Sequence, residues 1–247
     1  MELQYHGDAI RLLGIHAEVD PKSVALIQST ETRLGVRLPD SVREWYSLMD
    51  SVGTLEQWSG PGMAILLGRF SESPQAAIVR PHEVAHSLLP VLLENQGVCR
   101  WAVALDGTPD PPVYVEVQDS RDPGWALHAE EFSSFLLALF WDFREGKFHY
   151  SAQETSLSDT DFCRLEKSLA LGPPTYRWPA RQNWRFRRSD AYLSLWHSEG
   201  EQTDWMIHGT SEPPLLELLR MVIDMGELRR TLYACDAGDE RLLALIE

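Results

Sequence analysis

Two short signals, Asp20-Pro21 and Leu38-Pro39, leave residues 20–53 few ways to fold. Asp20 offers a side-chain acceptor to the free amides of a helix start, and Pro21 is pre-set for the first helical position. Val24, Ile27 and Leu34 then recur at helical spacing, with Gln28, Glu31 and Arg33 between them. Gly35 ends that helix, because glycine enters the left-handed cap conformation without a Cβ penalty. Pro39 opens a second helix, with Asp40 and Glu44 near the positive end of its dipole. Val42, Trp45, Tyr46 and Met49 form its apolar face, and Gly53 is the expected terminator. The expectation is a tight two-helix hairpin joined by Gly-Val-Arg-Leu-Pro.

The rest of the chain reads as alternating helices and strands around that hairpin. A short helix is expected over 8–17, a loop broken by Gly60-Pro61-Gly62 over 55–63, and a buried strand over 64–70. Residues 82–95 read as a helix with Val84, Leu88, Val91 and Leu92 inward. Strands follow over 98–105 and 113–117, where Val113, Val115 and Val117 alternate with Tyr114 and Glu116. A short strand at 125–128 precedes a helix over 130–140. Periodicity fades over 146–155, which places the domain boundary at 150 and gives domains 1–150 and 151–247. In the second, Ser158 and Asp161 have the form of a capping box, 184–186, 191–197 and 203–208 read as a meander, and 212–225 as an amphipathic helix. The fold class is α+β, with the smaller C-terminal unit either a separate subdomain or an extension of the first sheet.

The order of elements in 20–145 resembles the SUKH superfamily of cell-wall-assembly-regulator-like domains, many of them bacterial immunity proteins. Ile27, Glu31, Leu34-Gly35, Leu38-Pro39, Trp45-Tyr46 and Gly53 carry the resemblance, with the strand pair at 97–117 and the helix EEFSSFLLALF. Ser51-Val52-Gly53 departs from the asparagine-glycine pair usual there, and no family pattern continues after about residue 150. The resemblance implies a mixed sheet packed against helices, and a domain that neutralises a secreted toxin by occluding it.

Composition narrows the partners. The 247 residues carry 37 acidic against 22 basic side chains, a net charge of −15, so direct nucleic-acid binding is disfavoured by phosphate repulsion. An acidic surface suits solubility, or a basic partner steered by complementary charge. The start MELQYHGDAIRLLG lacks a basic leader with an apolar core, and no run approaches the ~18 apolar residues of a membrane span. The three cysteines are scattered and odd in number, which fits a reduced cytoplasm.

Several residues invite a chemical reading. His82-Glu83-Val84-Ala85-His86 is a literal His-Glu-x-x-His, which on a helix sets two zinc ligands one turn apart with Glu83 to activate water. Pro81 pushes it into a first helical turn, and Leu89 and Leu92 stand where a longer zinc motif needs glycine and histidine, so an ordinary helix start is the simpler reading. Cys99 lies in an apolar strand and reads as a small core residue. Arg177, Arg181, Arg185, Arg187 and Arg188 are interleaved with Trp178, Trp184 and Phe186, a pattern that can bind single strands. Residues 151–247 nonetheless hold 16 acidic and 11 basic residues, a net −5. The simpler reading puts Trp184 and Phe186 in the core with Arg185 and Arg187 facing water. Trp58, in a Gly/Pro-rich loop beside Glu56, has the form of an interface anchor, and folding back onto its own core is the alternative. With Asp106, Asp110, Glu116 and Asp119 these residues make the expected partner-binding surface of a non-enzymatic module that needs no cofactor or metal.

Overall fold

The computed structural model describes residues 3–58, 62–64, 78–80, 84–94, 96–118, 124–143, 148–198, 202–235 and 240–246. The chain divides into two compact units, Met1–Phe143 and Arg144–Glu247, each with its own sheet. The α+β class therefore holds in both halves, and every described strand pair is antiparallel where the resemblance implies a mixed sheet.

The first unit contains α1 (Gly7–Leu13), α2 (Pro21–Leu34), α3 (Asp40–Ser47) and α4 (Ser51–Trp58), then β1 (Gly62–Ala64), β2 (Ser87–Glu94), β3 (Cys99–Leu105), β4 (Val113–Val117), β5 (Trp125–Ala129) and α5 (Phe132–Phe143). Its strands pair in sequence order, β1 to β5. The hairpin starts and turns as its local signals require. Asp20 accepts from the amides of Lys22 and Ser23, and Gly35 takes φ 67° at the end of α2. Glu31 then clamps the turn, accepting from the Leu38 amide at 2.8 Å and pairing with Arg43. The second helix is shorter than its apolar spacing predicts. Leu48 is extended and bridges Val19, the Met49 amide donates to Glu18 at 2.8 Å, and Met49 is exposed. Gly53 is not a terminator but lies in the first turn of α4, where a Cβ would come within 2.3 Å of an Asp50 carboxylate oxygen. Glu56 and Trp58 accordingly sit on a helix and not in a loop.

Residues 84–94 hold the largest departure. The expected helix over 82–95 is a bend at Val84 to His86 followed by strand β2. Leu88, Leu89, Pro90, Val91 and Leu92 are all buried, so both faces of the segment are covered and a helical stripe is not what the spacing encodes. Pro90 would cost a helix interior a hydrogen bond, yet fits this strand. The Leu88 amide donates to Val79, on the side away from β3, and alternation puts the missing N–H of Pro90 on that same side. The expected strand over 64–70 falls almost wholly outside the described residues.

An aromatic chain joins the helices to the sheet. His6 meets Trp45 of α3 edge-on at 5.4 Å and Phe132 of α5 at 5.7 Å, Trp45 meets Phe140 at 5.3 Å, and Phe135 meets His128 of β5 at 5.6 Å. The segment before α1 is latched down as well, because the amides of Gln4, Tyr5 and His6 all donate to the Glu44 carboxylate, at 2.7, 2.9 and 2.9 Å.

The second unit contains β6 (Phe148–Ser156), α6 (Asp159–Ser168), β7 (Ala170–Leu171), β8 (Thr175–Tyr176), β9 (Gln182–Arg188), β10 (Ala191–His197), β11 (Gln202–Gly209), α7 (Glu212–Val222), α8 (Leu228–Thr231), β12 (Tyr233–Ala234) and α9 (Glu240–Leu243). Its sheet runs β12-β6-β11-β10-β9-β7, with β8 on β9, so the tail is not an extension of the first sheet. The stretch where periodicity fades is β6, which pairs with both β11 and β12, and the unit boundary precedes it at Phe143. Tyr150, Phe186, Leu193, Leu195, Trp205 and Ile207 alternate onto one sheet face and share a core with Leu165 of α6 and Leu215, Leu218 and Leu219 of α7.

His6 makes the first unit sensitive to acid. Its ring is 1% exposed, and Nε2 lies 2.8 Å from the Ser41 carbonyl oxygen, which it can only approach as a donor. Burial lowers its pKa below the usual 6.5, against smaller upward pulls from Ser41, Glu44 and Asp110. The unfolded chain therefore binds the proton more readily. Stability is full above the unfolded value and falls as pH drops from there through the folded value, by up to about 1.4 kcal/mol per pH unit for one proton. Denaturant titration at pH 7 and pH 5 should show a loss that His6→Gln, which keeps a donor without a titrating ring, reduces.

Candidate functional site

The β3–β4 connection puts carboxylates at one end of the first unit. Val103 pairs with Val113, and Val113 with Ala129, so the 106–112 loop and the Glu130-Glu131 junction leave the same end of the sheet. The Ser41 amide donates to the Pro109 carbonyl at 2.9 Å, which brings the start of α3, and with it Asp40, to that end. Asp40, Asp106, Asp110, Glu130 and Glu131 therefore share one end of a unit whose 143 residues carry 20 acidic and nine basic side chains, a net −11.

Each carboxylate has its own environment. Asp106 closes its turn with one oxygen, Oδ1, which accepts from the Thr108 amide at 2.9 Å and the Thr108 hydroxyl at 2.7 Å. Partial burial acts to raise its pKa, but the two Thr108 bonds and the nearby His86 outweigh it, so the carboxyl titrates below its ordinary value and stays charged. Asp110 reaches α5, accepting from the Ser133 amide at 3.1 Å and the Ser133 hydroxyl at 2.6 Å, and so serves the helix start as a cap supplied from another element. Asp40 meets Arg37 in one exposed contact at 3.2 Å, and Glu130 and Glu131 are exposed. A groove of about 510 Å³ runs between the α2–α3 turn and this loop, with residues 36–40 on one wall and Leu105, Gly107, Thr108 and Pro109 on the other.

The structure describes some of the expected partner-binding residues and distributes them over different elements. Asp106 and Asp110 stand at the acidic end. Glu116 lies opposite Arg100 further along the β3–β4 ladder and pairs with it at 2.5 Å, while the Arg100 guanidinium sits 5.0 Å from the Trp125 ring centre. Its charge is spent within the sheet. Glu56 is exposed on α4, Trp58 is that helix's last residue, and Asp119 lies outside the described residues. Asp40, Glu130 and Glu131 were missing from the expected surface because first-turn acids read as helix-start signals, and only the Ser41–Pro109 bond and the sheet register bring them to the loop's end.

The zinc reading loses its geometry. His82 and Glu83 lie outside the described residues, and Val84 to His86 are a bend that runs into β2, so His86 does not sit on the helix the motif needs. Among the described residues no group of three or more His, Cys, Asp or Glu side chains could hold a metal ion. Burial, with Glu94 nearby, pushes the Cys99 thiol up to about 12, as befits a core residue.

The arginine-aromatic stretch is structural in a way its alternation only half predicts. Phe186 is buried, Trp184 packs against the core, and Arg187 is exposed. Arg185 is 2% exposed instead of facing water, and donates to the Pro173 carbonyl at 2.9 Å and the Thr175 hydroxyl at 3.1 Å. Residues 170–176 run along the edge of β9 as β7 and β8, and the Pro173 carbonyl and Thr175 hydroxyl of that edge meet Arg185, while Asn183 donates to Thr175 and Trp178. Arg188 pairs with Glu217.

No protein-family profile, curated protein or solved structure matches this chain. No helix among the described residues is long and apolar enough to cross a membrane.

The Asp110–Ser133 cap gives a direct check on the split between structural and exposed acids. Asp110→Ala should lower unfolding stability by about 1 kcal/mol, the usual worth of a cap, whereas Glu130→Ala should stay within about 0.5 kcal/mol. Parallel denaturant melts of the two variants read the difference.

Proposed function

We propose that this chain is a non-enzymatic protein-binding module, a cytoplasmic immunity protein whose first unit binds and neutralises a basic toxin domain of the nuclease type. The observation that carries the reading is the gathering of Asp40, Asp106, Asp110, Glu130 and Glu131 at one end of that unit, beside a preformed groove. Complementary charge of this kind speeds encounter with a basic surface and penalises acidic competitors. The resemblance of the α2–α3 hairpin to SUKH domains supports the same reading, since occlusion by binding is what many of those proteins do. The bend at Val84 to His86 lends no support to the hydrolase alternative, which needs that motif on a helix. A regulatory scaffold is the remaining alternative, and it differs in its partner and not in its surface.

Two measurements test the proposal. Capture with the tagged full chain from its own cells should yield one stoichiometric basic protein, released as salt rises. A stoichiometric complex without toxin activity would assign the chain to a scaffold instead. With that partner in hand, the combined variant Asp106→Asn, Glu130→Lys, Glu131→Lys should slow association about tenfold at low salt and flatten its salt dependence. Unchanged association kinetics in a variant of normal melting temperature would overturn the assignment to this end of the first unit.

A further inference from the structure

We propose that the groove between the α2–α3 turn and the β3–β4 loop seats one long basic side chain, an arginine or a lysine, carried on an extended segment of the protein partner. The inference rests on the protein-binding reading above and specifies what that partner must present.

The groove matches such a side chain in two parts. Val36, Leu38, Pro39, Leu105 and Pro109 line it with apolar atoms, suited to an aliphatic stem that keeps its charged head near water. Asp40 lines it as well, and the Asp106 carboxylate is bonded to Thr108 of the opposite wall, so the groove has a carboxylate on or beside each wall. An acidic or phosphorylated occupant would meet that charge directly. A purely apolar occupant would cover the Asp40 carboxylate without supplying a counter-charge, which costs free energy. The cation lining the groove is Arg37, 77% exposed and joined to Asp40 by one 3.2 Å contact. An exposed pair of that kind is worth little, so an incoming cation can displace it. Size argues for a side chain, because about 510 Å³ holds a residue or two but not a helix.

The walls are also set before binding. Glu31 fixes the Leu38 amide, the Ser41 amide holds Pro109, Thr108 is tied to Asp106, and Asp110 to Ser133. A site that needs no ordering loses less affinity on binding, and so can serve a single anchor residue.

The test is an amide-resolved NMR titration of the labelled full chain with the tripeptide Ac-Gly-Arg-Gly-NH2. The control is the same peptide with citrulline, which keeps the shape of arginine and lacks its charge. Saturable shifts confined to residues 36–40 and 105–109 are expected, with a dissociation constant on the order of millimolar for so small a probe. Citrulline, and the arginine peptide on Asp40→Asn, should each bind about tenfold more weakly. Asparagine is well accepted at a helix start, so that variant keeps its fold, and a melt verifies it. Equal binding of citrulline, shifts spread over Glu56, Glu130 and Glu131, or shifts that track protein concentration through self-association would each overturn the proposal. If Asp40→Asn captures the cellular partner at undiminished affinity, the groove assignment falls while the binding reading stands. If the tripeptide seats in the groove but no basic protein is captured, the reverse holds.

Discussion

The backbone of Ser41 ties together three parts of the first unit that are far apart in sequence. Its amide donates to Pro109 in the β3–β4 loop, and its carbonyl receives Nε2 of His6 from the segment before α1. Both bonds sit at the start of α3, where the first amides of a helix have no partner of their own and must find one outside. The loop supplies that partner, and in doing so is drawn against the α2–α3 turn. That closure shapes the groove and brings Asp40 to the acidic end of the first unit, where the sheet register has already gathered the other carboxylates.

The same region shows how charge is divided between structure and surface. Glu31, Glu44, Asp110 and Glu116 each take specific donors: the Leu38 amide and Arg43, three successive amides, the start of α5, and Arg100. A carboxylate held in this way stabilises its neighbours but projects less field outward. Asp40, Glu130 and Glu131 remain exposed, and Asp106 uses one oxygen internally. A net charge therefore says little about where a partner would be met. The hydrogen bonds decide which acids still act on solvent.

Arg185 shows the same division in the second unit with the opposite sign. Its place in a strand of alternating aromatic and basic residues assigns it to the water-facing side, as it does Arg187. The chain that follows β7 runs on along the edge of β9 into β8, and Arg185 becomes an internal donor to its Pro173 carbonyl and Thr175 hydroxyl. Period-two alternation was right about which face each side chain occupies. It has no means of saying whether a side chain on the second face finds internal partners, because the acceptors for Arg185 come from Pro173 and Thr175 on a neighbouring segment.

Local signals in the sequence determined the helix starts and stops at Asp20, Gly35, Pro39 and Ser158, the strands at 113–117 and 191–197, and the α+β class, because each depends on neighbours within about one helical turn or one strand. The β2 segment was misread where that locality fails. Val84, Leu88, Val91 and Leu92 fit a helical stripe, and only burial on both faces, with Pro90 turned away from β3, shows a strand. Tertiary structure alone decided which carboxylates gather at one end, which are consumed in capping and pairing, and that a groove lies between two turns some 70 residues apart. Those facts depend on sheet register and on long-range bonds such as Ser41 to Pro109, which no pattern along the chain encodes.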